Sequence, residues 1–306
     1  MRVLPQLTAL VLPALGLSAS GIRAQTPSGS WLPDEAYFAV HHASLREPVF
    51  ALRAMWSPVF RGRSHPSERP PFDFPGEEGV ANELQGEAAL GGTFRLWRPA
   101  QWEDGGLTVG MQAGVFGRFR LEVSSSDLVA SDWVVSLPIE AGWGLWSARV
   151  RLTHWSAHLG DEMIEKAGAA RIDFTTETLD ALVAYQAGRI RLYGGGAVVT
   201  RSSLENEGQL GPDFSDNALI RLGADFDWLP WSDGDLGLDA GLDWQSADRT
   251  DWEGQLSVAF GLTAKNSDRS AQLRGVFHDG PSPMGQFFLT DERYWGIELI
   301  LRIGPE

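Results

Sequence analysis

From Asp235 to Gln245 polar and apolar residues alternate without a break. Leu236, Leu238, Ala240, Leu242 and Trp244 share one face of an extended segment, with Asp235, Asp239, Asp243 and Gln245 on the other. The same period of two sets Leu107, Val109, Met111, Ala113, Val115, Phe119 and Leu121 against Thr108, Gln112, Arg118 and Arg120. It also sets Trp252, Leu256, Val258, Phe260 and Leu262 against Glu253, Gln255, Ser257 and Thr263. Alternation of this kind, bounded by turn residues, predicts strands over 47–59, 84–97, 106–121, 128–139, 143–159, 170–186, 189–201, 218–229, 235–246, 252–264, 269–278 and 293–303. The count is about twelve, within a range of about 10–14. Bacterial single-chain barrels use even numbers, and a tilted span needs about 9–11 residues.

The connections sort by length. Short turns at 140–142, 187–188, 230–234 and 265–268 would face the periplasm; the stretches 60–83, 122–127, 160–169, 202–217, 247–251 and 279–292 would face outside. The expected fold is therefore all-β, a single antiparallel up-and-down transmembrane barrel over 47–306. A soluble β-sandwich is the alternative, and it does not predict this ordering of loops. Inward positions collect Arg118, Arg120, Arg149, Arg151 and Arg221 against Asp225, Asp227, Asp239, Asp243 and Glu298. Such groups either pair across the lumen and plug it or line a narrow aqueous path. Both readings stay open at this point.

Residues 1–24 read as an export signal: Arg2, an apolar stretch from Val3 to Leu17, then small residues up to a cleavage position after Ala24. The apolar run is short and carries Pro5 and Pro13, which disfavours a retained helix. Residues 25–46 lack a period and read as a periplasmic lead-in. With no cysteine there is no lipoprotein anchor, disulfide or thiol chemistry. A net charge of −15 argues against nucleic acid as a partner. Thirteen Trp and 15 Phe against 4 Tyr suit two interfacial girdles. The expected location is the outer membrane, with the lipid bilayer, lipopolysaccharide and the assembly machinery as partners.

One strand pair carries candidate chemistry. His154, Ser156 and His158 continue the lipid-type face of Ala148, Val150 and Leu152, while Trp155 and Ala157 take the inward parity. On the return strand Glu177, Thr175 and Asp173 continue the face of Leu179, Ala181, Val183 and Tyr185. A loop centred near Glu165 and Lys166 sets Glu177 opposite His154 and Thr175 opposite Ser156. At the outer rim this set is suited to lipid ester hydrolysis. Ser156 would be nucleophile, His154 the base, and Glu177 or Asp173 the orienting carboxylate. His154-Trp155-Ser156 is similar to the His-x-Ser pair of outer-membrane phospholipase A and the lipid A deacylase family, although Ala157-His158 departs from the phospholipase pattern. The competing reading is a solvated rim, where His, Ser and Trp are common. No cofactor or metal is expected, since His154, His158 and Asp161 on one strand imply weak ligand geometry. His41-His42 reads as a solvated pair, Gly194-Gly195-Gly196 as close packing, and His278-Asp279 as turn chemistry.

Several blocks together resemble a bacterial family called domain of unknown function 1207. They are Arg46-Glu47-Pro48-Val49-Phe50, Gly91-Gly92-Thr93-Phe94, Met111 to Phe116, Ser156 to Glu162, Arg171 to Phe174, Leu192-Tyr193-Gly194-Gly195 and Asp279 to Phe287. The resemblance implies an exported barrel and carries no catalytic residues. The leading expectation is an integral outer-membrane barrel without enzymatic activity, either a narrow pore or a structural surface protein. The alternative is an outer-leaflet acyl hydrolase.

Overall fold

The computed structural model describes residues 29–62, 84–122, 126–167, 173–206, 209–210, 213–266, 269–288 and 290–303. The expected export signal lies outside them. Twelve long antiparallel strands form a closed barrel: β1 Phe50–Gly62, β2 Leu84–Trp102, β3 Gly105–Arg120, β4 Leu128–Trp143, β5 Trp146–Leu159, β6 Asp173–Ala187, β7 Ile190–Asn206, β8 Ala218–Trp231, β9 Leu236–Ala247, β10 Gly254–Lys265, β11 Arg269–Pro281 and β12 Thr290–Ile303. Neighbours in sequence pair with one another, and β12 closes the ring on β1 through Leu299↔Leu52 and Leu301↔Phe50. Closure satisfies every strand edge, which a bilayer interior requires. Two short strands, Ser30–Trp31 and Gln209–Leu210, sit against β2 and β7.

The alternation read from sequence is the alternation of the walls. Leu137, Leu152 and Leu179 lie in one cross-strand row and are all exposed, whereas Ser136, Arg149 and Asp180 point into a buried interior. Trp56 and Trp295 meet edge-on at the loop end, and Trp146 and Tyr185 meet at the turn end, as expected of two girdles. Short turns gather at one end with the lead-in and the last strand; the longer connections gather at the other.

The turn expected at 140–142 falls instead at Gly144-Leu145, where Gly144 takes φ 58°. That shift keeps Glu140 on the ladder, opposite Arg149. The larger difference concerns the lead-in: from Phe38 to Val49 it runs inside the barrel, with Phe38, His41, Ala43, Leu45 and Glu47 buried. A segment without period can be buried here because the lumen is charged and meets its backbone as well as its side chains. Arg191 donates to the carbonyls of Ala39 and Val40, and Arg274 to that of His42.

Candidate functional site

The exterior candidate is built on β5, β6 and β7. Its register is the one expected: His154↔Glu177 and Ser156↔Thr175. His154, Ser156 and His158 face outward, and Trp155 and Ala157 face inward, where they pack with Phe174 and Phe288. The pairing of side chains differs from expectation. Ser156 Oγ lies 2.9 Å from His158 Nε2, so the hydroxyl is partnered by His158 rather than by His154. The reason is that residues i and i+2 project on the same face, and the His158 ring leans back along the strand. His154 Nδ1 lies 3.8 Å from Glu177 Oε1, a looser contact between two exposed groups. Continuing the register one residue beyond Ala157↔Phe174 sets Asp173 opposite His158. The four expected residues, with His158 added, thus fall into two groups: Ser156, His158 and Asp173 in one, His154 and Glu177 in the other.

Sequence reasoning missed Arg201. A bulge between Glu177 and Thr178 leaves Thr200 unpaired and turns Arg201 outward beside Glu177, at 3.9 Å. The strand end is fixed by Gly160, whose added Cβ would stand 1.8 Å from the Leu128 carbonyl oxygen. Beyond it, helix α1 (Asp161–Ala167) buries Met163 against Val129, Leu159, Met284 and Phe287. Gly160→Ala is therefore expected to destabilise the folded barrel by about 1–3 kcal/mol, read as a lowered midpoint of heat-modifiable gel migration.

The interior holds a second constellation. The Glu47 carboxylate receives Arg149 at 2.9 Å, with Arg151 at 3.5 Å and Arg221 at 3.7 Å. Burial alone would raise its carboxyl, but Arg149 and Arg151 hold it well below the usual carboxylate range. Arg151 is shared with Asp180 at 2.8 Å and Arg221 with Asp243 at 2.7 Å. On the loop-end side Arg46 and Arg53 converge on Glu87, and Arg118 pairs with Glu292 at 2.6 Å. Arg53 also bonds Glu298.

His41 and His42 are not the solvated pair expected. His41 lies 3.7 Å from the Tyr193 ring and 3.5 Å from Asp225, and burial pushes its imidazole down to about 3. His42 bonds Asp227 and Arg274. His278, too, is more than a turn residue: fully buried, its ring reaches Ser257 Oγ and the Pro281 carbonyl. Among the described residues no cluster of three metal-ligating side chains occurs.

Above the lead-in the β11–β12 connection folds inward. Ser282, Met284, Phe287 and Phe288 are buried, Gly285 N donates to Asp132, and Arg46 Nε donates to the Pro283 carbonyl. The lumen is thus filled from the turn end by 38–49 and from the loop end by 282–288, and the two fillings touch.

Comparison with known proteins agrees with this geometry. A family model described as a protein of unknown function, DUF1207, matches residues 74–302. The chain belongs to the DUF1207 family. The block Arg46–Phe50 precedes the stretch matched, yet structurally it is seated on DUF1207 residues. Pro48 lies against Gly91 and Gly114, where a Cβ would come within 2.9 and 3.0 Å of its own, and Arg46 stands 4.9 Å over Phe116. Among solved structures the chain is similar to the outer membrane phospholipase (OMPLA) dimer of Salmonella typhi with bound calcium. The two are 12% identical, the match covers 89% of this chain and 95% of that one, and the TM-score is 0.50. It is also similar to the β domain of the Bordetella autotransporter BrkA, at 12% identity, 84% and 99% coverage and TM-score 0.42. The phospholipase likeness shows a shared fold for this DUF1207 chain, that of an outer-membrane barrel. Curated protein sequences give no match.

Proposed function

We propose that the protein is a non-enzymatic outer-membrane barrel held closed by its own lead-in, a surface protein rather than a permanently open pore. The observation that carries this reading is Glu47, planted in the lumen among Arg149, Arg151 and Arg221. Mixed charges that pair across a barrel fill it; an aqueous path needs them apart. On this reading the partners are the lipid bilayer and lipopolysaccharide outside, and the assembly machinery during insertion. The full-length protein, reconstituted in planar bilayers, is expected to show no steady conductance. A steady ohmic current from the unaltered protein would overturn the proposal.

A second reading, an outer-leaflet acyl hydrolase, is favoured by the 2.9 Å separation of Ser156 Oγ and His158 Nε2. In it Ser156 attacks the ester carbonyl carbon while His158 takes the hydroxyl proton and passes it to the departing alkoxide. Water, activated by the same imidazole, then releases the acyl group. Asp173 would orient His158, and His154 with Glu177 would sit beside the lipid headgroup. Fatty-acid release from phospholipid vesicles should then fall at least about 100-fold in both Ser156→Ala and His158→Ala. Equal release by Ser156→Ala and the unaltered protein would remove this reading.

A further inference from the structure

The lead-in begins outside the lumen. Its short strand pairs with the turn-end part of β2, Ser30↔Arg98 and Trp31↔Trp97, and Leu32 N donates to the Leu96 carbonyl at 3.1 Å. Trp97 stands opposite Val109, a residue of the lipid-type face, so its partner Trp31 faces outward too. The two indoles stack at 6.3 Å, next to exposed Phe94 and Leu96. Just beyond, Arg98 pairs with Glu35 at 2.7 Å and Arg95 donates to the Asp34 carbonyl. By Tyr37 the chain is inside: its ring lies on the lumen side of Gly106 and Gly142, where a Cβ would come within 2.3 and 3.0 Å of it.

Trp31 is 77% exposed and Leu32 71%. Leu32 also takes φ 52°, a left-handed backbone that leucine adopts at a cost and that glycine or asparagine accepts more readily. Neither backbone preference nor burial within the protein accounts for a leucine there. Depth in the bilayer accounts for it. Leu84 on β2 pairs with Trp56 of the loop-end girdle. From Leu84 to Trp97 the strand travels about 30 Å along the bilayer normal, at about 3.3 Å per residue and a tilt of about 40°, which matches a hydrocarbon core of about 30 Å. Trp97, Trp31 and Leu32 thus come level with the opposite interface, where an indole rests among headgroups and a leucine reaches the acyl chains.

We propose that Trp31 and Leu32 form a clasp in the phospholipid interface of the periplasmic leaflet, so that the membrane itself holds the outer end of the segment that fills the lumen. The lead-in is then tied twice, by these two side chains in lipid and by Glu47 among the luminal arginines. The holding role rests on the closed-barrel reading above; the insertion does not.

The chain has no cysteine, so Leu32→Cys and, separately, Trp31→Cys each accept a single environment-sensitive nitrobenzoxadiazole label. Asp104→Cys, in the exposed β2–β3 turn, gives the aqueous reference. The full-length proteins are folded into phosphatidylcholine–phosphatidylglycerol vesicles and checked by heat-modifiable migration. Labels at 31 and 32 are expected to emit to the blue of the reference and to lose fluorescence to lipids carrying a nitroxide high on the acyl chain. They should also be shielded from iodide present on both sides of the membrane. Iodide quenching equal to that of the reference at both positions would overturn the insertion. In planar bilayers Trp31→Ser/Leu32→Asn, whose asparagine suits the left-handed backbone, should open in brief bursts that the unaltered protein lacks. Silence of this folded variant would overturn the holding role. Steady current from the unaltered protein would instead strike the closed-barrel reading and leave the insertion result standing.

Discussion

Replacing Glu47 by alanine is expected to unlock the lumen and to cost about 3–5 kcal/mol, the range for removing one partner from a buried ion pair. The loss is unequal among its neighbours. Arg151 keeps Asp180, and Arg221 keeps Asp243. Arg149, 1% exposed, loses the carboxylate to which both of its terminal nitrogens donate and retains the face of Phe38 at 4.8 Å. Three guanidiniums then face one another across a desolvated space, and water entering to hydrate them displaces the lead-in. Denaturant unfolding of the folded barrel reads the energetic part, and planar-bilayer current reads the opening. A double-mutant cycle with Arg149→Leu separates repulsion from lost packing, since removing both charges should restore a large share of the stability. If Glu47→Ala unfolds like the unaltered protein and stays electrically silent, the lead-in is held by its apolar anchors and not by this charge.

The legible part of this fold was the part written in period two. Each strand from Leu107 to Ile303 carries its own wall assignment, because one side faces lipid or rim and the other a polar lumen. The register at His154↔Glu177 followed from the same parity together with a loop centre. The lead-in was not legible, for a physical reason. It is a single non-repeating strand of chain whose burial depends on groups far away in sequence, such as Asp225 for His41 and Arg149 for Glu47. No local pattern records such partners. The Ser156–His158 contact failed for a related reason, since parity names a face but not which of two imidazoles on that face turns toward the hydroxyl. Arg201 was hidden by the extra residue at Thr200, which no composition signal announces.

The blocks that resemble the family acquire a common purpose once the lumen is seen. Gly91 and Gly114 make room for Pro48, Phe116 supports Arg46, and Tyr193 stacks on His41. Met284 and Phe287 close the loop end against Leu159 and Met163. Residues scattered over most of the chain thus build the seat and the cover of one buried segment. That convergence is a stronger clue to function than the exterior rim, where the side chains are exposed and loosely paired.

Leu152→Arg should be among the most damaging changes on the outer surface, and the contrast with a rim position makes it diagnostic. Leu152 lies midway along β5 in a row with Leu137 and Leu179, exposed by 47%, 54% and 43%. In a water-soluble sandwich an exposed leucine replaced by arginine changes stability by about 0.5 kcal/mol or less. On the lipid face of a barrel the same change near the bilayer midplane costs about 2–4 kcal/mol, falling to about 0–1 near the interface. Ser203→Arg, on the same wall beside Thr175 and level with the candidate site, supplies the interfacial comparison. Reversible refolding into phospholipid vesicles, monitored by heat-modifiable migration against denaturant, should separate the two variants by about 2 kcal/mol or more. The direction follows from hydration: the guanidinium at mid-wall has no water within reach and must bend the bilayer or snorkel outward, whereas at Ser203 it meets headgroups. Equal stability of the two variants would mean that the leucine row does not face hydrocarbon, and the membrane-spanning interpretation of the outer wall would have to be abandoned.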